Sequence, residues 1–241
     1  MLRKWADLPD FMKIPEVSPY WEKLNKKRGQ LTLKRIFDIF FALLLLMILF
    51  VPMIIIALWI KADSRGPVLF RQDRITSYGE HFRILKFRTM VCDAERVGTA
   101  VTINNDKRIT KAGKLLRRFR MDELPQLINV LQGTMSFVGT RPEAVKYVEK
   151  YPPEYYATLL LPAGITSEAS IRFKDEERYL VNAEDADRVY MEVVLPQKMK
   201  WNLESIREFR IMREIKTMLR TVFAVFRKER VDDLTAGKTS D

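Results

Sequence analysis

Two carboxylates stand side by side in Met121-Asp122-Glu123-Leu124-Pro125-Gln126. Carboxylates attack phosphorus as nucleophiles and bind Mg²⁺, the usual companion of a pyrophosphate. Cations able to offset phosphate charge lie in two other stretches: Lys86 and Arg88 in Lys86-Phe87-Arg88-Thr89-Met90, and Arg141 in Gly139-Thr140-Arg141-Pro142-Glu143. An arginine followed by a proline of fixed φ is a suitable fork for a phosphate. A plainer alternative makes Asp122 the N-cap of a following helix, where it would accept amide hydrogen bonds and complement the helix dipole. That account leaves Glu123 without a role. A helix start also favours an anion, so capping and phosphate handling both stay open on these residues alone.

Other chemistries are poorly supplied. His81 is the single histidine, which excludes zinc sites built on paired histidines, and it reads as a surface or loop residue. Cys92 is the single cysteine, so there is no internal disulfide, in keeping with a cytoplasm-facing body. Forty-two Lys and Arg against 31 Asp and Glu leave a net charge of +11. Such an excess attracts polyanions: nucleic acid, anionic lipid headgroups or phosphorylated substrates.

The elements that must position the carboxylates begin with a membrane segment. Residues 39–60 contain no charge and are dominated by Leu, Ile, Phe, Met and Val, enough to enter or cross a bilayer. The run starts too late for a signal peptide. Basic residues flank both ends, Lys34 and Arg35 before it and Lys61 and Arg65 after it, whereas a spanning helix concentrates positive charge on one side. Pro52 falls inside the run, and the 13 residues before it rise only about 20 Å. A re-entrant helix that bends at Pro52 and leaves by the face it entered satisfies both observations. Asp38 is expected to pair with Lys34 or Arg35.

Around this segment, residues 1–33 read as a loosely structured or interfacial lead-in. Val68-Leu69-Phe70 and residues 81–90 read as extended, and residues 109–119 as a basic helix. A second helix follows Asp122 with Pro125 in its first turn and Gly133 at its end. Residues 201–230 form a basic amphipathic pattern that either packs on the domain or lies in the headgroup plane. Calmodulin-target and nucleic-acid readings are weaker, because neither needs an embedded hydrophobic hairpin. The fold class is α+β, mostly α: a re-entrant membrane helix (34–61), a compact catalytic body (62–195), the lead-in (1–33) and a C-terminal amphipathic helix and tail (196–241).

The chain resembles the bacterial sugar transferase family, the monotopic phosphoglycosyl transferases. Matching stretches are Lys34-Arg35-Ile36-Phe37-Asp38, Gly66-Pro67-Val68-Leu69-Phe70-Arg71-Gln72, Phe82-Arg83-Ile84-Leu85-Lys86-Phe87-Arg88-Thr89-Met90 and Asp106-Lys107-Arg108-Ile109-Thr110-Lys111-Ala112-Gly113. The densest runs from Asp122-Glu123-Leu124-Pro125-Gln126 to Gly133 and resumes from Met135 to Glu143. The resemblance implies a re-entrant helix broken near a proline, interfacial helices and a cytoplasmic α/β body at the bacterial inner membrane. It implies that Asp122 attacks the β-phosphate of a UDP-sugar donor, releases UMP and passes the phosphosugar to undecaprenyl phosphate, initiating polysaccharide or glycoconjugate assembly. By the same resemblance Glu123 is associated with Mg²⁺ and Arg141 with phosphate binding, while Lys86 and Arg88 lie near the active site as substrate-binding residues. A lipid bilayer is the implied partner, nucleic acid is not, and a homo-oligomer is compatible.

Three positions depart from the family pattern: Thr140 replaces a usual proline, Val51 a frequent serine before the helix-breaking proline, and Ser167-Glu168-Ala169-Ser170 the Gly-Trp-Ala-Gln that often follows Pro162-Ala163-Gly164-Ile165-Thr166. Two rival functions are a peripheral membrane scaffold and an anchored glycosyltransferase that releases a nucleoside diphosphate. The nucleotide released separates all three.

Overall fold

The computed structural model describes residues 2–92, 108–173 and 186–226. Residues 2–27 fold as two 3-10 turns, Trp5–Asp7 and Asp10–Met12, and helix α1 (Ser18–Asn25), with Pro19 in its first turn. Leu2, Leu8, Met12, Val17, Tyr20 and Leu24 are buried in one core with Leu160, Leu195, Met199 and Ile206. The expected loose lead-in is therefore corrected to a packed wall of the body. Its apolar residues follow no single period because short turns deliver them, so the pattern is invisible to a periodicity reading. Burying each such side chain contributes about 1.5–3 kcal/mol.

Helix α2 (Arg28–Asp63) carries the apolar run and stays helical through Pro52. Its buried residues are confined to its two ends: Leu31, Lys34, Asp38 and Ala42, then Ile56 and Ile60. Between them Leu43, Met47, Ile48, Phe50, Val51, Ile54 and Ile55 are exposed. Asp38 does not pair with Lys34 or Arg35 as expected. Its carboxylate accepts from Ser136 Oγ (2.8 Å) and Phe137 N (3.2 Å). Lys34 instead meets Glu214 and the Val138 carbonyl (2.8 Å), and Arg35 donates to the Val130 and Leu131 carbonyls (2.6 and 2.9 Å).

Strands β1 (Leu69–Ile75) and β2 (His81–Phe87) form an antiparallel hairpin in which Leu69 faces Phe87 and Ile75 faces His81. Its turn holds Tyr78 at φ 62° and Gly79 at φ 76°. Helix α3 (Lys111–Arg118) is capped by the Thr110 side chain, which accepts from Gly113 N at 3.0 Å. Asp106 and Lys107 of the family block lie outside the described residues. A 3-10 turn, Met121–Glu123, leads to α4 (Gln126–Gln132), which ends on Gly133 at φ 87°. Strand β3 (Met135–Val138) pairs in parallel with β4 (Ala163–Thr166). A Cβ on Gly164 of β4 would lie 2.2 Å from the N of Gly139, the residue just past β3, so this crossing needs glycine.

The remaining elements are α5 (Val145–Val148), a 3-10 stretch Pro153–Leu160, α6 (Glu168–Arg172), α7 (Ala186–Val189), a π-helical turn Tyr190–Val194, α8 (Leu195–Arg207) and α9 (Ile211–Phe226). The C-terminal pattern expected as one helix over 201–230 is thus two helices, and residues 227–230 lie outside the described residues. Phe209, 2% exposed, turns into the main core between them. Lys27 Nζ donates to the Phe209 carbonyl (2.6 Å), and the Gln30 side chain caps Ile211 N (3.2 Å). Burial and α2 together override the helical period. The result is a mostly helical α+β fold with two two-stranded sheets among the described residues.

Candidate active site

The site is built on a strained turn. Arg120 adopts φ 55°, ψ 20° directly before Met121–Glu123, a left-handed conformation that costs a non-glycine residue about 1–3 kcal/mol. That turn reverses the chain between α3 and α4 and tucks both carboxylates inside, Asp122 8% and Glu123 9% exposed. Asn129 of α4 fixes the neighbouring strand. Its amide accepts from Leu85 N (3.0 Å) and donates to the Arg83 carbonyl (3.0 Å), which holds β2 where Lys86 reaches the turn. Nothing local in the sequence marked Asn129, which with Gln126 is one of two polar residues on the buried face of α4.

Glu123 is heavily engaged. Its Oε1 accepts from Arg141 (2.8 Å) and Lys86 Nζ (3.2 Å), with Arg120 at 4.0 Å. Burial pushes its carboxyl up, but Arg141, Lys86 and Arg120 overcome that and hold it well below the usual carboxylate range. Asp122 is the opposite case. Its Oδ1 is buried with no hydrogen-bond partner, so it does not act as the N-cap of the alternative reading. Burial first, and the Glu123 charge second, raise its carboxyl above the usual value, against Lys86, Arg117 and Arg120. Burial likewise lowers the Lys86 ammonium. Gln126 Nε2, one turn further on, is also buried and unpartnered. Helix α4 is only seven residues long, so charge in this site is managed by side chains rather than by a helix dipole.

Four of the five expected site residues therefore converge: Asp122, Glu123, Lys86 and Arg141. Arg88 is placed elsewhere. It donates to the Ser64 carbonyl (2.7 Å), Ser64 Oγ (2.9 Å) and the Ile60 carbonyl (3.4 Å), closing the C-terminal end of α2. Beside Glu123 and Arg141 lies a cavity of ≈ 240 Å³. Leu45 and Leu49 of α2 form one wall, with Leu124, Leu127, Phe137 and Ile165 around it. The hydroxyl residues Thr166, Ser170 and Thr221 complete the lining. Two of the departures from the family pattern bear on this region. The Thr140 carbonyl accepts from Gly164 N (2.8 Å), and Ser167 caps α6 by accepting from Ser170 N (2.9 Å). Glu168 is buried against Thr217 (2.9 Å) and Arg220 (2.7 Å) of α9.

Among the described residues no three His, Cys, Asp or Glu side chains gather as a metal cage. Mg²⁺ commonly takes one or two carboxylates and completes its shell with phosphate and water oxygens. The unpartnered Asp122 oxygen beside Glu123 fits that smaller donor set.

A carboxylate with an unpartnered buried oxygen and a cation cluster lie beside an apolar cavity walled by an exposed hydrophobic helix, an arrangement chemically able to take a phosphate group and an apolar chain together. Known proteins agree: residues 29–228 match the bacterial sugar transferase family, and the chain belongs to it. It is 39% identical over 199 residues to the UDP-glucose:undecaprenyl-phosphate glucose-1-phosphate transferase of Escherichia coli (strain K12), across 80% of this chain and 40% of that protein. It is 37% identical over 193 residues to the protein of the same name in Caulobacter vibrioides, across 78% and 68%. A third relative, also 37% identical over 142 residues, is the UDP-N-acetylgalactosamine-undecaprenyl-phosphate N-acetylgalactosaminephosphotransferase of Aeromonas hydrophila, across 58% and 34%. The match spans less than half the length of the first and third.

Proposed function

We propose that this chain is a phosphoglycosyl transferase that moves a sugar 1-phosphate from a UDP-sugar to undecaprenyl phosphate through a covalent Asp122 intermediate. The observation that carries the proposal is the asymmetry of the carboxylate pair: Glu123 Oε1 is paired with Arg141 and Lys86, whereas Asp122 keeps a buried oxygen without a partner. In the first step the Asp122 carboxylate forms a bond to the β-phosphorus, the bond from that phosphorus to the bridging oxygen breaks, and UMP leaves. In the second, a phosphate oxygen of undecaprenyl phosphate attacks the same phosphorus and frees the carboxylate. Arg141 and Lys86 offset charge on the transferring group, and Glu123 holds both in place. Mg²⁺, held by Asp122 and Glu123 with phosphate oxygens, would neutralise the pyrophosphate.

The apolar cavity between α2 and the carboxylate turn suits a polyprenyl chain whose phosphate ends at Arg141. A re-entrant placement of α2 at the cytoplasmic face of the inner membrane is supported by its burial pattern. Both ends pack on one body, Lys34 and Asp38 against β3, and Ile56 and Ile60 against Phe87 and Leu116, while the apolar middle is bare. The stripe Met212, Leu219 and Phe223 on α9 faces outward beside it, as an interfacial helix requires.

Incubating the protein with sugar-labelled UDP-sugar, before any lipid is added, tests the reading. Label should appear on Asp122 with release of UMP, and chelation of Mg²⁺ should suppress both. Release of UDP, or no label without acceptor, would overturn it. Relatives differ in the sugar they name, so the donor is found by screening UDP-sugars.

A further inference from the structure

Arg141 lies in a segment, residues 139–144, that belongs to no helix or strand. It reaches Glu123 from a loop, and the loop is pinned on both sides of it. Before Arg141, Gly139 N donates to the Thr166 carbonyl (3.0 Å) and the Thr140 carbonyl accepts from Gly164 N (2.8 Å). After it, the Glu143 carbonyl accepts from Ile75 N (3.2 Å), and the Glu143 side chain enters a buried cluster. There Glu143 Oε1 accepts from Tyr190 Oη (2.7 Å) and Lys198 Nζ (3.2 Å), and Lys198 Nζ also donates to Tyr190 Oη (2.8 Å). The side chains of Lys198 and Glu143 are 4% and 8% exposed. The Tyr190 ring packs on Tyr147 at 4.8 Å.

The cluster is costly and specifically built. Tyr190 and Lys198 are eight residues apart, and on a regular α-helix they would point about 80° away from each other. The π-helical turn Tyr190–Val194 between α7 and α8 widens the coil and takes up much of that rotation. A buried ion pair adds little net stability over an apolar replacement, and its best-attested use is to fix a register. Here the register is that of a loop whose next residue but one on the N-terminal side, across the rigid Pro142, is the cation on Glu123.

We infer that Glu143, Tyr190 and Lys198 form a buried clamp that positions Arg141 on Glu123, so that the C-terminal helices set the geometry of the phosphate site from outside it. The three are positioning residues and touch no substrate. The inference deepens the phosphoryl-transfer reading, since Arg141 is the phosphate-side cation there.

Two variants of the full-length protein test it: Tyr190→Phe, which keeps the ring packing, and Lys198→Met. Phenylglyoxal labelling of individual arginines, followed by mass spectrometry well below the melting temperature, reads the clamp without any assay of turnover. Arg141 should be labelled roughly tenfold faster in both variants, the equivalent of losing one hydrogen bond to a charged group, while buried Arg88 keeps its wild-type rate. An unchanged Arg141 rate overturns the clamp, and so does joint acceleration of Arg141 and Arg88, which reports general opening. With turnover in hand, Tyr190→Phe should raise the donor KM and lower kcat, and should add nothing to Arg141→Ala. Additive losses would mean that the cluster acts on stability alone. If the wild-type protein turns over no UDP-sugar, the reaction reading fails and the labelling result still decides the clamp.

Discussion

The foot of α2 and the turn 120–123 both bury carboxylates among cations, and they treat them in opposite ways. At the foot, Asp38 takes Ser136 Oγ and Phe137 N, Lys34 takes Glu214 and a carbonyl, and Arg35 takes two carbonyls. At the turn, the backbone of Arg120 is strained, and Asp122 keeps an oxygen with no partner. An unmade hydrogen bond at a buried group costs about 1–3 kcal/mol. The fold thus satisfies its charged groups at the foot and leaves one carboxylate oxygen unsatisfied at the turn. The apolar helix α2 is bolted to β3 and α4 by neutralised groups, while the turn next to it keeps a buried carboxylate oxygen without a partner.

The sharpest way to break this comparison is to change the two aspartates alike. Asp122→Asn should lower turnover by about three orders of magnitude or more, because an amide forms no acyl phosphate. Its thermal stability should hold. Asp38→Asn should do the reverse: near-normal kcat, with a stability loss of about 1–3 kcal/mol. Turnover assays and thermal melts on both proteins check the pair, and an active Asp122→Asn enzyme would dissolve the distinction.

Next in size is Lys34→Met. It leaves Glu214 buried without its ammonium, and removing one partner of a buried pair costs about 3–5 kcal/mol. A fall in melting temperature, with donor KM unchanged in the protein that remains folded, is the expected pattern. A smaller loss, about 1–3 kcal/mol, is expected for Arg88→Ala, since its hydrogen bonds close the end of α2. Here too the donor KM should not move. A donor KM raised as strongly as by Arg141→Ala would place Arg88 with the phosphate site.

The site was legible in the sequence where adjacency carried the chemistry. Asp122 and Glu123 are neighbours, and Lys86 and Arg141 sit in dense family blocks. The position of Arg88 was not legible: β2 ends at Phe87, so Arg88 departs toward α2 while Lys86, still on the strand, reaches Glu123. Partners of the foot were hidden for another reason. Asp38 and Ser136, or Lys34 and Glu214, are far apart in the chain, and helical spacing suggested local pairs that the packing replaced. Tyr190 and Lys198 offered no local signal either, since the π turn that brings them together leaves no mark in composition. The same holds for Phe209, whose burial splits the C-terminal pattern into α8 and α9.

The smallest effect is also the most diagnostic of the carboxylate pair, because its two members should respond to pH with opposite sign. Asp122 has a folded-state acidity weaker than its ordinary value of 3.8, through burial and the charge of Glu123. Its contribution to stability is therefore fully present below that value, and is lost as pH rises through the folded value. Ionised Asp122 works against the fold at neutral pH, so Asp122→Asn should melt at or above the wild-type temperature at pH 7. The gap should narrow as the pH falls through the folded value toward 3.8, below which the carboxyl is protonated in both states. Glu123 is held below its ordinary 4.5 by Arg141, Lys86 and Arg120, which overcome its burial. Its contribution is present above 4.5 and is lost only as pH falls through the much lower folded value. Glu123→Gln should accordingly be the less stable protein at pH 7 and remain so at pH 5. Melting curves of the three proteins between pH 4 and 8 check both signs together. If the Asp122→Asn gap is independent of pH, or the wild type is the more stable at pH 7, then Asp122 is an ordinary, well-partnered carboxylate and the contrast with the foot of α2 fails.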